Sequence, residues 1–189
     1  MGFSVLLDAN VLYPAYLRDV ILRFAYAGVF QVHWTDQILH EMSRNIKSRV
    51  PEERHDRVDR TVAQMREAFP EAMVTGHERL IESMTNHPKD RHVLAAAVQA
   101  GVDLIVTWNT EDFPRDSCEP HAIDVQPPDD FLCYQWELRH PEYLTYILEG
   151  WAADLENPPV SLETLLQEHL HRRVPMFSER VLEFVQSRT

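Results

Sequence analysis

The chain has 189 residues, of which 44% are apolar, and it carries a net charge of −12. This composition excludes a disordered chain, and the acidity argues against a protein that coats nucleic acid generally. The charge is uneven, with −4 over residues 1–118 and −8 over residues 119–189, so a nucleic-acid site is expected in the first two thirds.

The two cysteines, Cys118 and Cys133, are too far apart in sequence for a CxxC pair. We therefore expect neither a disulfide framework nor a thiolate metal site, and a reducing compartment. The first apolar run, Phe3–Leu7, has no basic segment before it, and no later run is long enough to span a bilayer. These features predict a soluble cytoplasmic protein with no membrane partner.

Strands and helices alternate along the first two thirds of the chain. Short apolar runs predict strands at Phe3–Leu7, Val29–Trp34, Asp103–Thr107 and Ala122–Val125. Helical periodicity predicts helices at Val11–Ala27, Thr35–Arg49, Glu52–Phe69, Leu80–Met84 and Asp90–Ala100. Thr35 is the expected N-cap of its helix, and Gly28 and Gly101 are the expected stops. The alternation indicates an α/β fold with a central parallel sheet.

The pattern changes at Gln126–Asp130, where two prolines and two aspartates interrupt it. Only helices are predicted beyond this point, at Pro141–Glu156, Ser161–Arg172 and Ser178–Ser187. We therefore predict an α/β domain over residues 1–132 and an all-helical C-terminal extension over residues 133–189.

Four carboxylates come from separate elements of the predicted α/β domain. Asp8 and Asp112 follow predicted strands, Asp90 opens a helix, and Glu41 lies on a helix away from its apolar stripe. Ligands of open α/β sheets bind beyond the carboxyl ends of the strands, so these acids are expected to converge there. Crowded carboxylates repel unless a cation neutralises them, and a set of oxygen ligands selects Mg²⁺ or Mn²⁺.

Each acid also has an ordinary structural interpretation. Asp90 suits an N-cap, Glu41 suits an ion pair with Arg44 three residues later, and Asp112 suits a turn before Phe113. Asp8 is the hardest to explain in this way, because an unpaired carboxylate beside a buried strand is costly.

Several polar and aromatic side chains flank the predicted carboxylate cluster. Asn10 either caps the following helix or donates a hydrogen bond to Asp8, and Thr107 is grouped with it as support for the site. Trp108 and Tyr13 could stack a base, although a core role is the commoner use of such residues.

Basic residues near the acids are candidates for binding phosphates, namely Arg44, Lys47, Lys89 and Arg91. A further row, Arg54, Arg57 and Arg60, is equally well explained as solvated helix surface.

The segments LLDANVLY, TDQILHEM and KDRHVLAAAVQAGVDLIVTWNTEDFP resemble, in this order and spacing, the PIN-domain family of metal-dependent ribonucleases. The resemblance covers about residues 3–132 and is closest to the VapC-like toxins of bacterial toxin–antitoxin systems. It implies that Asp8 and Asp90 bind the metal and that Glu41 completes the site. The family's fourth position falls on Asn109. We expect Asp112 to be the fourth carboxylate and third metal ligand, and Asn109 to contact the metal's water or a phosphate.

The resemblance also implies an α/β/α sandwich and Mg²⁺- or Mn²⁺-dependent endonucleolytic cleavage of RNA, with tRNA or rRNA as the family expectation. It implies a homodimer, and a cognate antitoxin that neutralises a translation-inhibiting toxin. A helical tail such as that of residues 133–189 occurs in a subset of such proteins.

Other classes of protein fit less well. A phosphatase that begins with a strand ending in Asp8 would need a second aspartate two residues later, where this chain has Asn10. None of the ten histidines forms the HExxH motif of zinc hydrolases. The remaining alternative is a catalytically inactive PIN scaffold that binds RNA or protein, and the intact set of four acids argues against it.

Overall fold

The computed structural model describes residues 2–155 and 159–188. Its sheet contains the strands Ser4–Leu7 (β1), Gln31–His33 (β2), Leu104–Val106 (β3) and Asp124–Gln126 (β4). Their order is β2-β1-β3-β4, and every pairing is parallel. All four predicted strands are therefore confirmed, each within a few residues of its predicted limits.

Helices connect the strands and then continue alone to the C-terminus. The described α-helices are Ala9–Leu12 (α1), Ala15–Tyr26 (α2), Asp36–Lys47 (α3), His55–Ala68 (α4), Arg91–Ala100 (α5), Arg115–Cys118 (α6), Pro128–Leu138 (α7), Pro141–Asp154 (α8), Leu162–Thr164 (α9) and Pro175–Ser187 (α10). Short 3₁₀ helices lie at Glu52–Arg54, Pro70–Ala72, Glu78–Ser83, Pro88–Asp90, Thr110–Asp112 and Glu119–His121. The parallel α/β fold and the helical C-terminal region are both confirmed. None of the described helices meets the length and apolarity needed to cross a membrane.

The two central strands are buried, which explains their apolar composition. Every residue of β1 and β3 is buried, and Val5 pairs with Val32 on one side and with Leu104 on the other. The chain runs from β1 outward to β2 and returns to place β3 on the opposite side of β1. The order therefore reverses between β1 and β3, and their carboxyl ends form the crevice where α/β sheets bind ligands.

The chain divides into two compact units, each built from two segments. The first comprises residues 1–14 and 30–127, and the second comprises residues 15–29 and 128–189. The helix α2 thus belongs to the second unit although it lies between β1 and β2 in sequence. The division at residue 132 into an α/β domain and an extension stays a prediction.

Helix ends in the first unit follow the expected capping chemistry. The Thr35 hydroxyl accepts a hydrogen bond from the Ile38 backbone N–H at 3.1 Å, as an N-cap does. Gly101 ends α5 with a φ of 64°, a left-handed conformation that glycine adopts without strain. Glu41 lies on α3, and Asp90 directly precedes α5.

A buried carboxylate organises the second unit. The oxygens of Asp129 accept hydrogen bonds from the backbone N–H groups of Met176 at 3.0 Å and Phe177 at 2.9 Å, at the start of α10. The Phe177 ring in turn lies edge-on to Phe24 of α2 and Trp136 of α7. Asp129 therefore satisfies two donors that the helix itself cannot, and it links α7 to α10.

Several helices differ from their predicted form or limits. The helix predicted at Val11–Ala27 is interrupted between α1 and α2, because Pro14 cannot donate a backbone hydrogen bond. The segment predicted at Ser161–Arg172 becomes a π-helix over Leu165–Leu170. The end predicted at Glu156 for α8 lies outside the described residues.

The helix α7 was not predicted at all, since Pro127 to Asp130 was interpreted as a break. Pro128 instead occupies the first helical position, and Asp129 and Asp130 lie in the first turn. Proline and aspartate both favour the start of a helix. The first helical residue needs no backbone N–H donor, and acids complement the helix dipole. The same preference starts α10 at Pro175, three residues before the predicted Ser178.

Candidate active site

Asp8 lies at the point where the sheet order reverses. Its backbone N–H continues the ladder by donating to the Val106 carbonyl at 3.1 Å, and its own carbonyl accepts from Val11 and Leu12 in α1. The residue is only 5% exposed. The end of β1 therefore fixes the Asp8 backbone and holds its carboxylate in a largely dehydrated position.

Two neighbours hold the Asp8 carboxylate through the same oxygen. Thr107 Oγ1 and Asn10 Nδ2 each donate to Asp8 Oδ2 at 2.7 Å, and Asn10 Nδ2 also approaches Thr107 Oγ1 at 3.0 Å. Asn10 lies inside α1, whose N-cap is Asp8, so it orients the carboxylate and does not cap that helix. Its Oδ1 accepts from the Trp108 backbone N–H at 3.2 Å, which ties the ends of β1 and β3 together.

The environment of Asp8 opposes its ionisation. Burial is the main cause that raises the pKa of Asp8 to about 6, with contributions from the nearby charges of Asp90 and Glu41. The hydrogen bond from Thr107 acts in the opposite direction. A carboxylate held in this way favours a cation beside it, since neutralisation removes the cost of the buried charge.

Backbone hydrogen bonds through His87 bring Asp90 and Asp112 together. The Asp90 N–H donates to the His87 carbonyl at 2.9 Å, and the His87 N–H donates to the Asp112 carbonyl at 3.0 Å. Burial and the charge of Asp112 raise the pKa of Asp90, while His92 and His87 oppose that shift. Asp90 precedes α5 at its N-cap position, but its side chain makes no capping bond. The carboxylate of Asp90 is thus not used as a helix cap.

Glu41 reaches the cluster from α3. Its Oε1 accepts from Gln37 Nε2 at 3.0 Å and lies 3.4 Å from His92 Nε2, so its partners are these residues and not Arg44. His92 is buried, and burial lowers the pKa of its imidazole against the opposing charges of Glu41 and Asp90. Among the described residues, His92 Nδ1 has no hydrogen-bond partner.

The four predicted acids therefore lie in one electrostatically coupled group, although they are not equally close. Asp8 interacts with Asp90 and Glu41, and Asp90 interacts with Asp112. Among the described residues, the group whose ligand atoms all lie within 4.8 Å of one another is His87, Asp90 and Asp112. Burial and neighbouring acids raise the pKa values of Asp8 and Asp90, and carboxylates in such an oxygen-rich donor set fit a hard divalent cation.

Asn109 and Trp108 follow β3 at the edge of this group. The Asn109 N–H donates to Thr107 Oγ1 at 3.1 Å, while its side chain is at an exposed position. Trp108 is 36% exposed, whereas Trp34, Trp136 and Trp151 are buried. Trp108 is therefore not a core residue. Tyr13 is half-buried, and the Arg49 guanidinium lies 5.3 Å from its ring centre.

The predicted phosphate-binding residues differ in their surroundings. Arg44 and Lys89 are exposed, and Arg91 donates to the Asn86 carbonyl at 3.4 Å. Lys47 is paired with Asp59 on α4 at 2.6 Å. Arg44 and Lys89 are thus the more accessible charges of the predicted set.

Two histidines of this region were not predicted as site residues. His87 lies three residues before Asp90, immediately before the 3₁₀ turn Pro88–Asp90. His92 lies two residues after Asp90. The spacing of His87 and Asp90 in HPKD is a recognisable signal for a shared turn. The contact of His92 with Glu41 joins residues 51 positions apart, and nothing local in the sequence indicates it.

Comparisons with known proteins show the family of the chain. A PIN-domain model matches residues 4–111, and a model of the VapC50 C-terminal domain matches residues 128–183. The chain is 39% identical over 109 residues to the Mycobacterium tuberculosis protein named "Putative ribonuclease VapC50". That alignment covers 58% of this chain and 63% of the relative. No solved structure matches the chain significantly. Because the PIN-domain model spans more than half of its residues and the acids gather at the edge expected of that fold, the chain belongs to the PIN-domain family.

Proposed function

We propose that this protein is a Mg²⁺- or Mn²⁺-dependent endoribonuclease and the toxin of a toxin–antitoxin pair. The observation that carries the proposal is the convergence of Asp8, Glu41, Asp90 and Asp112 at the reversal point of the sheet. Repulsion among these carboxylates destabilises the fold unless a cation neutralises it. A cation bound there can also hold a phosphodiester for cleavage.

The roles of the acids follow from their surroundings. Asp8, Asp90 and Asp112 would hold the cation, which would supply Lewis acidity for attack of water on a phosphodiester. Thr107 and Asn10 bind only one oxygen of Asp8, so they fix the carboxylate without occupying its other oxygen. Glu41 would orient the attacking water and accept its proton. Asn109 would contact a water at the cation or a phosphate.

The substrate would approach over the exposed surface around these acids. Arg44, Lys89 and Arg91 would bind its phosphates, and Lys47 would join them when its pair with Asp59 opens. Trp108 offers an exposed ring for stacking a base. We propose tRNA or rRNA as the target, because cleavage of either would inhibit translation.

Two protein partners belong to the same proposal. A cognate antitoxin would neutralise the toxin by covering the acidic site, and the toxin would function as a homodimer. The similarity to a protein named VapC50 supports the antitoxin.

Incubation of the purified chain with total cellular RNA tests the nuclease. We expect cleavage with Mn²⁺ or Mg²⁺ and none with EDTA. Asp8→Asn should abolish cleavage and any toxicity on expression, whereas Asp116→Asn, which changes an exposed acid on α6, should retain both. Mapping the new 5′ ends in cellular RNA after a short pulse of expression would identify the target. Full toxicity of Asp8→Asn would show that Asp8 is wrongly assigned.

The competing function is that of an inactive scaffold binding RNA or protein. It predicts that the folded chain binds RNA but produces no metal-dependent cleavage. The same incubation separates the two functions, since a scaffold would give identical RNA profiles with Mn²⁺ and with EDTA.

A further inference from the structure

We infer that His87 is a ligand of the catalytic cation and gives this site a nitrogen donor, so that the site binds Mn²⁺ in preference to Mg²⁺. The inference rests on the proposed function for the role of the cation, but its metal chemistry is tested separately. It departs from the all-oxygen site that the carboxylates alone predict.

The geometry of the turn carries this inference. His87 Nδ1 lies 3.4 Å from Asp90 Oδ2, and both belong with Asp112 to a group whose ligand atoms are all within 4.8 Å of one another. Around an octahedral ion with bonds of about 2.1 Å, neighbouring ligand atoms lie about 3.0 Å apart and opposite ones about 4.2 Å apart. Small side-chain adjustments would therefore bring all three onto one ion.

The backbone holds these residues in place before any ion binds. Two hydrogen bonds connect them, from the Asp90 N–H to the His87 carbonyl and from the His87 N–H to the Asp112 carbonyl. Pro88 restricts the turn between His87 and Asp90. A ligand set that is already joined through its backbone loses little conformational freedom when it coordinates.

The accessibility of His87 also suits a ligand. Its side chain is 46% exposed, so an ion can reach the imidazole from solvent. His92, the other histidine near the acids, is buried and directs Nε2 at Glu41. An imidazole nitrogen favours first-row transition ions over Mg²⁺, which prefers oxygen ligands and keeps much of its water.

Electron spin-echo spectroscopy of bound Mn²⁺ tests the nitrogen ligand without measuring activity. We expect imidazole nitrogen coupling in the full-length wild type, with lines that change when histidine is isotopically labelled. His87→Ala should lose the coupling, and its Mn²⁺ dissociation constant should rise at least about tenfold. The Mg²⁺ constant should rise less than about threefold. His121→Ala removes an exposed histidine elsewhere and should behave as wild type.

Melting curves and circular dichroism without metal would verify that His87→Ala is folded, and His87→Gln provides a second variant that also lacks the imidazole. Unchanged coupling and Mn²⁺ affinity in both variants would overturn the inference. Metal-dependent RNA cleavage by a wild type without nitrogen coupling would overturn it while sparing the nuclease. Coupling that depends on His87 in a chain that cleaves no RNA would uphold the ligand and reject the nuclease.

Discussion

The Asp8 side chain couples the stability of the fold to pH. Its carboxyl ionises near 3.8 in an unfolded chain and at about 6 in the folded one. Between these values the folded state binds more protons, so the free energy of unfolding falls as pH rises through the window. The shift corresponds to about 3 kcal/mol, which is present below pH 4 and lost above pH 6.

Asp8→Asn should therefore stabilise the metal-free protein at pH 7. Asparagine keeps an oxygen for the bonds from Thr107 and Asn10 but cannot ionise. We expect its free energy of unfolding in urea with EDTA to exceed that of wild type by up to about 3 kcal/mol at pH 7. The difference should vanish near pH 4, and saturating Mn²⁺ should stabilise wild type more than the variant. A variant less stable than wild type at pH 7 would show that the buried charge of Asp8 does not destabilise the folded protein.

Trp108 supplies a second prediction at the residue scale. Trp108 follows Thr107, its backbone N–H donates to Asn10, and among the described tryptophans it is the exposed one. Stacking of a base contributes about 1–3 kcal/mol, so Trp108→Ala should raise the KM for RNA about fivefold or more with a smaller effect on kcat. Trp108→Phe should recover most of the loss.

Tyr146→Ala provides the control for Trp108→Ala, because it removes an aromatic side chain of α8 that is even more exposed, 72% against 36%. The readout for binding alone is quenching of tryptophan fluorescence by single-stranded RNA in EDTA. Equal KM values for Trp108→Ala and wild type would show that Trp108 has no role in RNA binding.

Among the elements, α7 and α10 depend on the buried cap at Asp129. Asp129→Ala should leave two backbone donors of α10 without partners and lower the free energy of unfolding by about 2 kcal/mol. Asp130→Ala is the matched control, because this neighbouring acid in the same turn is exposed and should change stability by less than about 0.5 kcal/mol. Urea unfolding followed by circular dichroism measures both. Similar losses in the two variants would mean that only the charge near the start of α7 matters.

What the sequence predicted at the element scale was the local part of the fold. Phe3–Leu7 and Asp103–Thr107 combine apolar runs with an abrupt polar end, so both the buried strands and the position of Asp8 could be anticipated. The α7 helix was missed because Pro128 and Asp129 favour a turn and a helix start equally well in isolation. Only the contact with the N-terminus of α10, 47 residues away, decides between them.

Prediction of the candidate site from local sequence was limited in the same way. The acids could be identified, because each follows a strand or lies on a helix with a recognisable pattern. Thr107 was also expected to support the site, although it lies 99 residues from Asp8, whereas the contact of His92 with the distant Glu41 could not be anticipated. Asn10 had two acceptable local roles, and its position inside α1 together with its bond to Asp8 distinguishes them.

At the scale of the whole molecule, α2 packs with the C-terminal residues and depends on them for its contacts. The α2 helix precedes β2 in sequence but belongs to the unit formed with residues 128–189. Its Phe24 contacts Phe177, Arg23 pairs with Asp154 at 2.7 Å, and the Tyr143 hydroxyl donates to the Ala27 carbonyl at 2.8 Å. Removing the C-terminal helices would therefore remove the residues that α2 contacts.

A chain truncated to residues 1–132 should consequently fail to fold stably. Four side chains of α2, at Leu17, Val20, Ile21 and Phe24, are fully buried, and each contributes roughly 1.5–3 kcal/mol when buried. Losing even half of this burial would approach the 5–15 kcal/mol stability of a typical domain. We expect the fragment to aggregate or melt without cooperativity, and residues 133–189 added as a separate polypeptide to restore a cooperative transition. A monomeric fragment that melts cooperatively within a few degrees of the full chain would instead establish residues 1–132 as an independent domain.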